Sequence, residues 1–241
     1  MALLDPGVRV YAIGDVHGRL DLLERLHDQI AAEIAASPAE RTVIVHLGDY
    51  VDRGPDTAGV VERLIGLTIG AAEIVCLKGN HEDKLLTFLA DGEGVESFFR
   101  YGGREAMASY GIDAAHLGGD GDARHAAAAF AARMPARHRT FLETLPHSLI
   151  IGGYFFCHAG IRPHVPLDRQ TPHDLMWIRE PFLSSAADHG KVVVHGHTPV
   201  DDVESLPNRI NVDTGAGFGR RLSAAVLEGD RRRFLSAAAS R

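Results

Sequence analysis

The sequence predicts an α/β protein built on a parallel sheet with helical crossovers. Apolar, β-branched runs alternate with amphipathic segments three times between Val8 and Leu89, as in parallel strands joined by helices. Each of those runs ends in a glycine-flanked polar cluster, and ligands of such sheets sit at the carboxyl ends of the strands. After Pro146 short apolar runs resume and again end in histidine–glycine clusters.

The chain of 241 residues is long enough to bury a sizeable core. With no internal repeat and no low-complexity linker, a single domain over residues 1–241 is expected. A formal charge of −7 argues against nucleic-acid or membrane-surface partners, which usually need a basic face. There is no signal-like N-terminus and no apolar run of about 18 residues, so the expected location is the cytoplasm.

In chain order, Val8–Ile13 reads as a strand delivering Gly14-Asp15-Val16-His17-Gly18. The two glycines permit a tight turn that points both polar side chains the same way. A helix follows, with Asp21 as its expected N-cap, Leu23, Leu26, Ile30 and Ile34 at helical spacing, and Ser37-Pro38 as its stop. Residues 42–45 form the next strand and lead into His46-Leu47-Gly48-Asp49-Tyr50-Val51-Asp52-Arg53-Gly54. Two carboxylates three apart beside an arginine are costly to bunch at a strand end unless a charged ligand binds there. A helix is expected over 57–67, then a strand over 73–77 closed by Lys78-Gly79-Asn80-His81-Glu82, then a helix presenting Leu85, Leu86 and Leu89.

Residues 91–146 are rich in alanine and arginine, punctuated by Gly102-Gly103 and Gly118-Gly119, and read as a mostly helical insertion over the sheet edge. Residues 149–157 read as one strand ending in His158-Ala159-Gly160, and 191–194 as another ending in His195-Gly196-His197. Strands over 209–212, 222–227 and 232–237 finish the chain, the last two as a hairpin around Glu228-Gly229-Asp230. Cys76 and Cys157 read as buried free thiols, and Arg231 to Arg233 as a solvated strand edge.

The strand ends together offer Asp15, His17, Asp49, Asn80, His158 and His197. Carboxylate, imidazole and amide donors without a thiolate suit Mn²⁺, Fe or Zn²⁺ at a reactive site better than structural zinc.

These motifs resemble the metallophosphoesterase superfamily, and within it the short bacterial and phage branch of the phosphoprotein phosphatases. The matching runs are Gly14-Asp15-Val16-His17-Gly18, Gly48-Asp49-Tyr50-Val51-Asp52-Arg53-Gly54, Gly79-Asn80-His81-Glu82, His158-Ala159-Gly160 and Gly196-His197-Thr198. The resemblance implies a central β-sandwich of mixed sheets flanked by helices, the calcineurin-like fold, with two divalent metal ions, Mn²⁺ first. Carried over by position, Asp15, His17 and Asp49 ligate one metal, and Asp49 bridges to the other, held by Asn80, His158 and His197. Arg53, Arg179 and Asn80 hold the phosphoryl group. His81 protonates the leaving group, and Asp52 orients it and keeps it cationic.

The activity so implied is hydrolysis of phosphoserine and phosphothreonine by direct attack of a metal-bridging hydroxide, with a phosphoprotein or phosphopeptide as partner. Symmetrical hydrolysis of a dinucleoside tetraphosphate on the same site is the alternative; its physical basis is the insertion's Phe98, Phe99, Arg100, Tyr101 and Arg104. His46, Tyr50, Glu82 and His195 read as supporting residues. Thr198-Pro199 after His197 departs from the Gly-His-x-His signature of the superfamily's nucleases.

Overall fold

The computed structural model describes residues 2–114 and 120–239, so the Gly118-Gly119 pair lies outside the described residues. Strands β1 (Val8–Ile13), β2 (Arg41–His46) and β3 (Glu73–Cys76) pair in parallel, as expected. Helices α1 (Leu20–Ala36) and α2 (Thr57–Ile65) make the crossovers, and α3 (Asn80–Asp91) follows β3. The chain then adds β9 (Arg221–Glu228) antiparallel to β1, and β10 (Arg231–Ala238) antiparallel to β9. The sheet order is therefore β10-β9-β1-β2-β3, mixed rather than parallel throughout.

A second five-stranded sheet runs in the order β4-β5-β6-β8-β7, from β4 (Ser148–Ile151), β5 (Tyr154–Cys157), β6 (Val192–His195), β8 (Arg209–Asn211) and β7 (Glu204–Ser205). Here the expected single strand over 149–157 is a hairpin, with Ser148 paired to Cys157. Its continuous apolar character hides the turn, which the Gly152-Gly153 pair makes, Gly152 at φ +53°.

Period-2 alternation sorts each strand between two cores. Val10, Ala12, Val43 and Val45 face Tyr154, Phe156, Val192 and Val194 of the second sheet in the sandwich interior. Tyr11, Ile13 and Ile44 point to the opposite face, where Leu23, Leu26 and Ile30 of α1 cover them. The second sheet's outer face, Phe155, Cys157 and Val193, is covered by Leu175, Ile178 and Phe182 around the short helix α8 (Pro172–Trp177). Asp21 is not the N-cap of α1. The helix starts one residue earlier, and Asp21 in its first turn takes the Arg19 Nε and Nη2 hydrogen bonds at 2.8 and 2.7 Å.

The insertion forms α4 (Val95–Arg100), α5 (Gly103–Ser109), α6 (Asp120–Arg133) and α7 (Ala136–Thr144). Its aliphatic content is thin, but Phe98, Met107, Phe130 and Leu142 join the core under α1. Phe98 stacks on Phe88 of α3 at 4.4 Å. Among the described residues, no helix is long and apolar enough to cross a membrane.

His46 at the end of β2 meets His27 of α1, with their Nε2 atoms 2.9 Å apart and both rings buried. One ring must donate and the other accept, so the pair cannot hold with both rings protonated. Burial pushes His27 down to about 4, and burial with His27 holds His46 well below the usual imidazole value. An unfolded histidine protonates near pH 6.5 and the buried pair does not, so stability is present above that value and lost as pH falls toward 4. We expect His27 alone to account for roughly 2 kcal/mol of lost stability between pH 7.5 and 5. Denaturant titrations of wild type and His27→Gln at both pH values check this; equal pH slopes in the two proteins would refute it.

Candidate active site

The sandwich brings the carboxyl ends of β1, β2, β3, β5 and β6 to one rim, and the polar clusters follow directly. Their backbones are bent sharply. His17, Asp49, Asp52, Arg53 and His197 all have φ between 47° and 71°; His164 is the one other non-glycine residue with positive φ among the described residues. Left-handed conformations of such residues cost of order 1–3 kcal/mol each and persist where the surroundings enforce them.

Glu82 enforces several. Its buried carboxylate accepts the backbone N–H groups of Asp49, Tyr50, Val51 and Gly79, at 2.9, 2.8, 3.3 and 2.9 Å. It thereby locks the loop after β2 to the first turn of α3. Tyr50 adds hydrogen bonds from its hydroxyl to the Leu77 and His46 carbonyls, at 2.7 and 3.0 Å. Gly102 of the insertion approaches the same loop and its carbonyl accepts the Arg53 N–H at 3.2 Å. With φ +100° and Arg53 Cα only 2.6 Å from where a Cβ would stand, no other residue fits there without displacing Arg53.

Asp49 lies at the centre with its two oxygens facing different donors. Oδ1 is 3.3 Å from His158 Nε2, and Oδ2 is 3.5 Å from His17 Nε2 and 3.8 Å from His81 Nε2. Asn80 Oδ1 completes the first side, 2.9 Å from His158 Nε2 and 2.8 Å from His197 Nδ1. His158 and His17 each turn Nδ1 to a backbone carbonyl, Leu47 at 3.0 Å and Val51 at 2.9 Å. That partner fixes the proton on Nδ1 and leaves Nε2 aimed inward, the usual orientation of a metal-ligating imidazole. Asp15 accepts the His197 backbone N–H at 3.1 Å. Two clusters of side chains could hold cations, His17 with Asp49 and His81, and Asp49 with His158 and His197.

The charge balance agrees. Asp15, Asp49, Asp52, Glu82 and Asp213 are all buried, an arrangement that calls for cations. Burial and Asp213 push Asp15 well above the carboxylate range, and burial with Asp49 pushes Glu82 up to about 7. Burial favours a neutral His158, yet Asp49, Asp15 and Glu82 hold its proton up to about 10. Against the same burial, His158, His81 and His17 keep Asp49 well below the usual range. This donor set, hard oxygens and imidazoles on either side of one shared carboxylate, fits two divalent ions.

His81 sits beside the cluster, its Nδ1 2.7 Å from Asp52 Oδ2 and its Nε2 3.3 Å from Arg53 Nη2. Asp52 orients the ring as expected. Burial lowers His81 to about 4 against the charge of Asp49, with Arg53 and Lys84 adding to the lowering, and burial raises Asp52 well above its range. Arg179 is exposed at the rim, and its charge is felt by His197 and Lys84. His195 lies apart from the cluster, ending β6 against Phe182 at 5.0 Å. The strand stops there, so alternation does not carry over to His197, which stands in a turn.

Three residues at the site are absent from the sequence reading. Lys84 lies one turn after His81 on α3, with Nζ 3.7 Å from the Tyr101 ring and 4.9 Å from the Trp177 ring. Its spacing from His81 is the signal that could have found it. Asp213 follows β8 and precedes Gly215, the same signature as the other strand ends. Phe218 stands further along that loop, on the Arg53 side of the site. Of the insertion residues, Phe98 is buried in the core, Phe99 carries the Arg104 guanidinium at 4.0 Å, and Arg104 also bonds the Ala114 carbonyl. Tyr101 reaches the site, its ring 6.1 Å from that of His81.

The chain is similar in sequence to bis(5'-nucleosyl)-tetraphosphatase PrpE [asymmetrical] of Oceanobacillus iheyensis, 27% identical over 239 residues, covering 90% of this chain and 88% of that one. The protein of the same name from Bacillus thuringiensis is 27% identical over 233 residues, with 88% and 87% covered. In structure it is similar to a crystal structure described as that of "a putative diadenosine tetraphosphatase", at TM-score 0.67, 24% identity and full coverage of both chains. It is also similar in fold to a protein serine/threonine phosphatase of Saccharomyces cerevisiae, at TM-score 0.54 and 14% identity, covering 98% of this chain and 81% of that one. Both relatives are named for asymmetrical action on a bis(5'-nucleosyl) tetraphosphate, not for action on a phosphoprotein. The family described as calcineurin-like phosphoesterase matches residues 8–218, and with the paired sheets and the strand-end centre this makes the chain a member of that family, a metallophosphoesterase hydrolase.

Proposed function

We propose that the chain hydrolyses dinucleoside tetraphosphates asymmetrically, releasing a nucleoside triphosphate and a nucleoside monophosphate. The observation that carries this reading is the rim of the centre. Arg53, Lys84 and Arg179 lie close enough for the charges of Arg53 and Arg179 to act on Lys84. Three cations exceed what one phosphoryl dianion needs and match a run of several phosphates. Tyr101, 41% exposed, and Trp177 flank Lys84, which gives a base an aromatic surface beside that run. The names of the relatives point the same way.

In this reading Asp15, His17 and Asp49 would hold one divalent ion and Asp49, Asn80, His158 and His197 the other. When bound, the ions, Mn²⁺ by our choice, supply Lewis-acid polarisation of the phosphoryl group and activation of the attacking water. The remaining work belongs to the chain. Arg53 and Arg179 present planar donor forks to the phosphoryl oxygens, with Asn80 beside them, and these contacts strengthen as charge develops. His81, positioned by Asp52, relays a proton at Nε2 toward the departing oxygen.

A substrate panel on purified, Mn²⁺-loaded protein tests the reading. We expect kcat/KM on diadenosine tetraphosphate to exceed that on phosphoserine and phosphothreonine peptides by more than about tenfold. Chromatography should show ATP and AMP, not two ADP. A phosphopeptide preference would restore the protein-phosphatase reading.

A further inference from the structure

Phe218 is 58% exposed, the most exposed of the large hydrophobic residues among the described residues, and it stands beside Arg53 with its ring centroid 4.5 Å from the guanidinium carbon. Its position is built. The turn Ala216–Phe218 is bounded by Gly215 and Gly219, both left-handed. Gly217 packs so closely on His17 that a Cβ would come within 2.8 Å of the imidazole's own Cβ. Arg19 ties the turn to the start of α1 by a hydrogen bond from Nη1 to the Ala216 carbonyl at 3.4 Å. The ring therefore packs on the Arg53 guanidinium and is otherwise open, which leaves aromatic surface free for a stacking partner.

A cavity of about 630 Å³ adjoins this turn, lined by Gly18, Arg19, Asp21, Glu24, Arg53 and Gly217 among others, and Phe218 neighbours it through Gly217 and Arg53 without lining it. That volume suits a nucleoside. Arg19 is neutralised by Asp21, at 2.7 Å, and Glu24 and Asp56 leave the wall acidic beyond Arg53. Such a wall repels further phosphates and suits a neutral group rich in donors, such as a ribose and its base.

We infer that Phe218 is the stacking platform for the nucleoside whose own α-phosphate Arg53 holds, and that this residue sets asymmetrical cleavage. The inference rests on the dinucleoside-polyphosphate reading and deepens it. A base on Phe218 lies next to Arg53, so the phosphorus presented for attack is the one bonded to that nucleoside's 5′ oxygen. The water oxygen bonds to the α-phosphorus while the bond from it to the bridging oxygen breaks. The bridging oxygen leaves with the nucleoside triphosphate, whose phosphates run over Lys84 and Arg179, and the water protons pass to solvent.

The test uses p-nitrophenyl phosphate turnover by the metal-loaded protein, inhibited in turn by AMP and by inorganic phosphate. The ratio of the two inhibition constants is the readout, so any general loss of activity cancels. We expect AMP to bind wild type about 5- to 150-fold more tightly than phosphate, the range for one stacked base. Phe218→Ala should bring the ratio near one, and Phe218→Trp should restore it. A ratio unchanged by Phe218→Ala, or a tryptophan no better than the alanine, overturns the inference. Hydrolysis of diadenosine tetraphosphate in H₂¹⁸O supplies the second arm. Label in AMP supports attack on the α-phosphorus, and label in ATP overturns it. A wild type that prefers phosphopeptides but keeps the Phe218-dependent AMP ratio would sink the earlier reading and leave the nucleoside site standing.

Discussion

Asp49→Asn is expected to lower kcat/KM on every phosphate ester by roughly 10³-fold or more, the scale of the several kcal/mol that paired cations contribute. It should also lose more than any other single ligand change. The side chain keeps its shape, but the shared negative charge between the His158 and His17 sides is gone. Metal content and thermal stability give readouts apart from turnover. Mn²⁺ at 100 times its dissociation constant should stabilise wild type by about 2.7 kcal/mol for each site it fills, and the variant much less. A variant that keeps two equivalents of metal and full activity would rule out Asp49 as the bridging residue.

His81→Asn should separate substrates by their leaving groups. On a phosphoserine peptide the departing alkoxide is strongly basic, and loss of the proton donor is expected to lower kcat by roughly 10²–10⁴. p-Nitrophenyl phosphate and a dinucleoside tetraphosphate both expel weakly basic oxyanions, so their losses should be far smaller. Asp52 accepts the His81 Nδ1 hydrogen bond at 2.7 Å and positions the ring, while burial lowers His81 to about 4. Asp52→Asn should therefore show the same substrate pattern more mildly. Equal losses on alkyl and aryl phosphates would mean that His81 binds phosphate and does not deliver a proton.

Much of the site is legible in the chain because its parts are local. Each cluster follows an apolar run and carries its own glycines, so residues such as Asp15, Asn80 and His158 announce a strand-end loop without any knowledge of neighbours. The first three parallel strands are legible for the same reason, since helical and strand periods differ. The hairpin of β4 and β5 is not, because a glycine pair inside an apolar run reads equally well as a pause in one strand.

What the sequence by itself determined is therefore the strand-end chemistry, its side-chain types and their order along the chain. The tertiary structure alone decided which charges and rings share the rim. Lys84 between Tyr101 and Trp177, and Phe218 over Arg53, join residues from α3, the insertion, α8 and the loop after β8. The physical reason is that a metal centre draws its ligands from repeated local turns, which leave a pattern in sequence. A substrate surface is assembled by whichever exposed side chains the packing of distant elements brings together, so local spacing can flag one member such as Lys84 but not its aromatic partners.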